Sequence, residues 1–221
     1  MRVQITKGHR GKLTGLSSIN SSTVDNSYCQ RMSKNSDCIC SKCYAFEIES
    51  VFTNIHIVQT RNFKILNNIK IEPNTFKRIR PVRFNSIGEL GSDLHLENLI
   101  GIVNHNPHIQ FSLWTKRISI VNRVFDQIER PKNLILIYSS KIKNVRTYNI
   151  DNKVLRHFNK IFTVYTLEYA KKNKIKINCG KRHCIKCMLC YSDNKVKYIN
   201  EYQKRSIGNT DHLHLKSVNV S

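Results

Sequence analysis

The run NLILIYSS at residues 133–140 limits the possible folds more than any other stretch of the chain. It is too short for an ordinary buried helix and too continuously apolar for a strand with one wet face. It therefore predicts a strand covered on both sides, which is the habit of parallel sheets in α/β proteins. Other strand-like runs lie on either side: KLTGLSSI (12–19), IRPVRF (79–84), HIQFSLW (108–114), KIFTVYT (160–166) and KIKIN (174–178). Helical patterns separate most of them. Val51, Ile55, Val58, Ile65 and Ile69 fall on one face of a long helix over 45–69. Leu96, Leu99, Ile100 and Val103 form a second, with Ser92 or Asp93 as N-cap, and Ile118, Val121, Val124, Phe125 and Ile128 a third, ended by Pro131. DNKVLRHF (151–158) is a weaker helical stretch.

Strands that alternate with helices predict an α/β chain with a parallel sheet, here an incomplete (β/α)6 barrel. In such folds the site gathers at the C-terminal ends of the strands. The residues expected there are the loop after the first strand, then Asn85, Ser86, Gly88 and Glu89, then Trp114, Thr115 and Lys116, then Ser139 and Ser140. Gly88, Glu89, Ser139 and Ser140 are the candidate cofactor-binding residues. The chain divides into a partial barrel over 1–178, a cysteine-rich metal-binding extension over 179–203 and a polar tail over 204–221. His212 and His214, in that tail, are assigned no metal.

All eight cysteines fall into two groups: Cys29, Cys38, Cys40 and Cys43, and Cys179, Cys184, Cys187 and Cys190. The N-terminus has no apolar segment of the kind a signal peptide needs, and no run is long enough for a membrane span, so a cytoplasmic protein is expected. In a reducing compartment clustered thiols are read as metal ligands. The second group has the spacing C-x4-C-x2-C-x2-C, whose two successive short gaps resemble an iron–sulfur loop more than the split pairs of a structural zinc site. Zinc stays open as the alternative. In the first group, three ligands would leave a coordination position free, whereas four would close the site.

Charge points to the partner. Lys and Arg number 37 against 15 Asp and Glu, a formal net charge of +22, and such a field attracts polyanions. Lys171, Lys172, Lys174, Lys181, Arg182 and Lys186, in a stretch free of acidic residues, are the candidate nucleic-acid contacts. Trp114 either stacks on a base or packs in a core.

The segments CSKCYA, RNF, RPVRFNSIGEL, FSLWTK and CIKCMLC, spread over about residues 12 to 192, resemble the phage gene-product-88 family, with its Cys-x2-Cys-Tyr-Ala signature. The loop of cysteines after the first strand and Gly-Glu after the second also resemble the radical SAM superfamily. That resemblance implies a [4Fe–4S] cluster on Cys29, Cys40 and Cys43 whose open iron binds S-adenosylmethionine, with Glu89 at the cofactor's amine and an auxiliary cluster on the second group. Membership of a phage family implies the cytoplasm of the host cell. The chain departs from the superfamily pattern: ten residues separate the first two of these cysteines, Lys42 stands at the usual aromatic position, and Ile87 and Leu90 replace a glycine and a proline. The competing expectation is a zinc-stabilised nucleic-acid-binding module without catalysis.

Overall fold

The computed structural model describes residues 1–8, 11–77, 80–145, 152–180 and 182–203. Its frame is a seven-stranded sheet whose strands lie side by side in sequence order. They are β1 (Thr6–Lys7), β2 (Ser17–Ile19), β3 (Val82–Phe84), β4 (Phe111–Thr115), β5 (Leu134–Ser139), β6 (Lys160–Tyr165) and β7 (Tyr198–Tyr202). β1 runs antiparallel to β2, and every later pair is parallel. The α/β class and the parallel sheet are as expected. Among the described residues the pairing is that of an open sheet with β1 and β7 at its edges, without a closed barrel.

The helices are α1 (Ser27–Ser33), α2 (Tyr44–Val51), α3 (Thr53–Asn68), α4 (Asp93–His105), α5 (Ile118–Phe125), α6 (Leu167–Lys172) and α7 (Cys184–Cys187). Ser92 caps α4 through its hydroxyl, which accepts from His95 N–H. The helix expected over 45–69 is two helices that meet at Phe52, whose backbone is extended. The break falls within Val51, Phe52 and Thr53, all weak helix formers. Residues 152–157 form turns instead of a helix, and Ile128 lies beyond the end of α5.

The two faces of the sheet are covered differently. On one, Val82, Phe84, Phe111, Leu113, Leu134, Leu136 and Ile161 pack against Ile65 and Leu66 of α3, Leu96 and Leu99 of α4, and Val121 and Val124 of α5. On the other, Trp114, Ile135, Ile137, Phe162 and Ile199 meet Leu16, Cys190 and Tyr191, with Cys179, Cys184, Ile185, Met188 and Leu189 packed around them. The cysteine-rich segment thus does what a second helix layer does elsewhere. Covered on both sides, β4 and β5 are buried at every residue, which explains their unbroken apolar character.

KIKIN is not the last strand. Asn178 and Cys179 donate their N–H groups to Asn200 C=O, so this segment lies against the sheet edge without joining the ladder. The place beside β6 belongs to Tyr198–Tyr202, whose Ile199 fills the second core. Ile79 and the tail from residue 204, with His212 and His214, lie outside the described residues.

His95 couples this packing to pH. It is 1% exposed, and its Nδ1 accepts from Gly91 N–H at 3.2 Å and from Asn67 Nδ2 at 3.3 Å. Burial lowers its pKa to about 3. Between that value and the unfolded value of about 6.5, the unfolded chain binds a proton that the folded chain refuses. Stability from this residue is full above about pH 6.5 and falls on acidification by up to about 1.4 kcal/mol per pH unit. Urea unfolding at pH 7, 6 and 5 should show a shallower loss in His95→Gln than in the parent.

Candidate functional site

The loops after β2 and β3 are built as one unit. Asn20 Oδ1 accepts from the N–H groups of Ser86 at 3.1 Å and Ile87 at 3.2 Å, and Ser21 N–H donates to Ile87 C=O. Gly88 has φ of +91°, and a Cβ there would overlap the Ser21 carbonyl, so only glycine fits this approach. Asn26 caps α1 through Oδ1 and reaches Glu89 C=O through Nδ2 at 2.9 Å. Buried Glu49 of α2 accepts from the hydroxyls of Ser22 and Thr23 and from Thr23 N–H.

Glu89 is 5% exposed. Oε1 accepts from Leu90 N–H at 2.8 Å and Thr115 Oγ1 at 2.5 Å, and Oε2 from Lys116 N–H at 2.7 Å. The carboxylate therefore joins the loop after β3 to the end of β4. Lys116 Nζ donates to Ser139 Oγ at 3.1 Å. Ser140 is occupied locally, its hydroxyl donating to Ile142 C=O.

The first cysteine group surrounds this point. Cys29 lies in α1, Cys38 caps a 3-10 turn over Ile39–Lys42 by accepting Cys40 N–H on Sγ, and Cys43 opens α2. Ile39 N–H donates to Lys141 C=O at 2.8 Å, pinning the loop to the residues after β5. Cys29 is pushed well above the usual thiol range by burial and by the negative charge of Glu89, Cys43 and Cys40. Cys40 is pushed up to about 12 by burial, against the pull of Lys116, with Cys38 and Cys43 adding to the rise. Burial works against the Lys116 ammonium, but Cys40, Glu89, Cys43 and Cys38 favour it and its pKa is raised. Four thiols, a carboxylate and an ammonium thus share one electrostatic neighbourhood at the C-terminal ends of the strands.

The second group has other neighbours. Cys190 is pushed up to about 12 by burial, against the opposing charge of Arg83. Burial raises Cys179 and Cys184 as well, with Lys12 and Arg83 opposing. Lys12 Nζ lies 2.5 Å from Glu201 Oε1 and 3.8 Å from Cys179 Sγ. The Arg83 guanidinium lies 4.2 Å from the centre of the Trp114 ring, whose other close aromatic is Phe162 at 4.8 Å. Trp114 is core, and the two cysteine groups have different charged neighbours, Glu89 and Lys116 for the first, Lys12, Arg83 and Glu201 for the second. Among the described residues, no group of three or more Cys, His, Asp or Glu side chains stands in an arrangement that could hold a metal ion.

Lys171, Lys172, Lys174, Arg182 and Lys186 are all exposed, and Lys181 lies outside the described residues. Sequence reasoning missed Tyr28, Lys12, Arg83, Glu49 and Lys141. Of the loop residues it missed, only Asn26 carried a signal, as a capping residue before SYCQRMS.

Replacing Glu89 by Ala leaves two buried N–H groups and one hydroxyl without their acceptor. It should cost about 3 kcal/mol in urea unfolding, with Glu89→Gln costing less. Cys29, whose thiol the Glu89 charge holds up, should at the same time react faster with a thiol reagent.

No curated protein and no solved structure gives a significant match to the chain. A family model described as Gene product 88 matches residues 5–212, nearly the whole length, and the protein belongs to that family.

Proposed function

We propose that the protein holds an iron–sulfur cluster on Cys29, Cys40 and Cys43 and acts on an anionic substrate at the C-terminal ends of β2–β5. The observation that carries this reading is the mutual electrostatic influence of these thiols around Lys116. Thiolates suit iron–sulfur clusters and zinc alike. The donor chemistry suits a cluster, although among the described residues no three of these side chains stand ready as ligands. The partial-barrel, radical-SAM-like reading draws support from the sequential order of the strands and from helices α3, α4 and α5 on one face of the sheet.

A bound [4Fe–4S] cluster with one open iron would supply one-electron chemistry to S-adenosylmethionine. The chain's own part is to set the surroundings. Lys116 offsets the negative charge of the thiolates, and Ser139 fixes its direction. Glu89 already accepts three hydrogen bonds, so it keeps room for about one more donor, such as a cofactor amine.

A second reading has its own support. Cys179, Cys184 and Cys190 pack with Ile185, Met188 and Leu189 over an apolar sheet face. That is a position where a structural zinc on this group would fasten a covering segment to the sheet. The same reading makes the exposed cations from Lys171 to Lys186 a nucleic-acid surface.

Anaerobic purification followed by assay of iron, sulfide and zinc separates the two. The first reading expects a brown protein with a broad band near ~400 nm, and loss of iron in Cys40→Ala. Zinc alone, lost in Cys187→Ala and kept in Cys40→Ala, supports the second. Protein free of both metals overturns both.

A further inference from the structure

Between the N-terminus of α5 and the residues after β5 lies a cleft of about 420 Å³ lined by Lys116, Arg117, Lys141, Tyr28 and Ser119, with no acidic residue in its wall. We infer that this cleft is a binding site for a phosphomonoester group, such as the 5′-phosphate of a nucleotide. This rests on reading the strand ends as the ligand side of the fold, but on no metal.

Four observations converge. First, three cationic side chains line one small concavity, and among the described residues none of them is in an ion pair. Lys116 has Glu89 and the thiols as partly compensating neighbours, whereas a dianion in the cleft would add attraction to all three cations. Second, α5 is an eight-residue helix whose first turn has no side-chain cap, and its first two residues, Ile118 and Ser119, line the cleft. Third, Tyr28 is 8% exposed, lines the cleft, and its hydroxyl is buried with no hydrogen-bond partner. A buried orphan hydroxyl is costly, and a phosphate oxygen would satisfy it. Fourth, Arg117 and Lys141 are held at the ring of Tyr28, 4.7 and 5.7 Å from its centre, so the cations stay in place without a counter-charge.

The ligand class follows from these donors. Ammonium, guanidinium, phenol and helix amides around a small space match a group with several terminal oxygens and a double negative charge. A phosphodiester backbone needs an extended surface, such as the exposed cations from Lys171 to Lys186, and not a concavity of this size. The phosphomonoester can come from a free nucleotide or from the 5′ end of a strand.

The test is calorimetric titration of the full chain at low salt with inorganic phosphate, thymidine 5′-monophosphate and thymidine. The same oligonucleotide with and without a 5′-phosphate is titrated alongside. Phosphate and the monophosphate should bind while thymidine does not. Lys141→Ala should weaken both at least tenfold, and Tyr28→Phe several-fold. Tyr28→Phe removes only an unpaired hydroxyl, so its thermal midpoint without ligand should be equal to or above that of the parent. Tighter binding of the 5′-phosphorylated oligonucleotide identifies a strand end as the source, whereas preference for the mononucleotide identifies a free nucleotide. The inference is overturned by absence of phosphate binding, by equal affinity in both variants, or by oligonucleotide binding that ignores the 5′-phosphate. Metal content, assayed on the same samples, decides the cluster reading separately.

Discussion

The carboxylate of Glu89 determines how the chain leaves two adjacent strands. Its oxygens take the N–H groups of Leu90 and Lys116 and the hydroxyl of Thr115, so the loop after β3 and the end of β4 have one fixed relation. From that relation follow the position of Lys116 among the thiols and the point at which α5 begins. Asn20 and Asn26 hold the same loop from the β2 side, and through Asn26 they also set the start of α1, where Cys29 lies. A hydrogen-bonded buried carboxylate is a strong positional constraint because any displacement strands charge and donors together in a poorly solvated space.

Carboxylates are scarce here, and their placement sharpens the basic character of the outside. Glu49, Glu89 and Glu201 are all buried, bonded to backbone, hydroxyls or Lys12. They order the interior and do little to offset the cations on the surface. A cleft with three cations and no acid is consistent with that division, in which negative charge is kept for holding loops and the surface is left receptive to anions.

Where burial on both faces leaves an unbroken apolar run, the sequence is readable, and β5 and β6 stand where NLILIYSS and KIFTVYT place them. β7 was hidden because YINEY alternates Ile199 and Glu201 with half-exposed neighbours, while KIKIN just before the cysteines has the stronger alternation. The division at Phe52 was hidden because the apolar spacing runs across it, although Val51, Phe52 and Thr53 are weak helix formers. The cysteines and Glu89 were conspicuous as residue types, yet their neighbours were not. Lys12 meets Cys179 and Glu201 across most of the chain's length, and no local pattern announces such a pairing. Tyr28 gives no signal until α1 turns it toward Arg117 and Lys141.

Apart from Leu13 and Leu16, the cover on the second face of the sheet comes from residues that follow β6. During synthesis Trp114, Ile135, Ile137 and Phe162 therefore leave the ribosome before Cys190, Tyr191 and Ile199 exist to meet them. At ordinary elongation rates this interval is on the order of seconds, long compared with collapse of the strands themselves. The nascent chain thus passes through a stage with an apolar sheet surface bare and a basic exterior already formed. For this fold, the window of greatest vulnerability to misassociation is set by the order of translation as much as by the strength of the finished core.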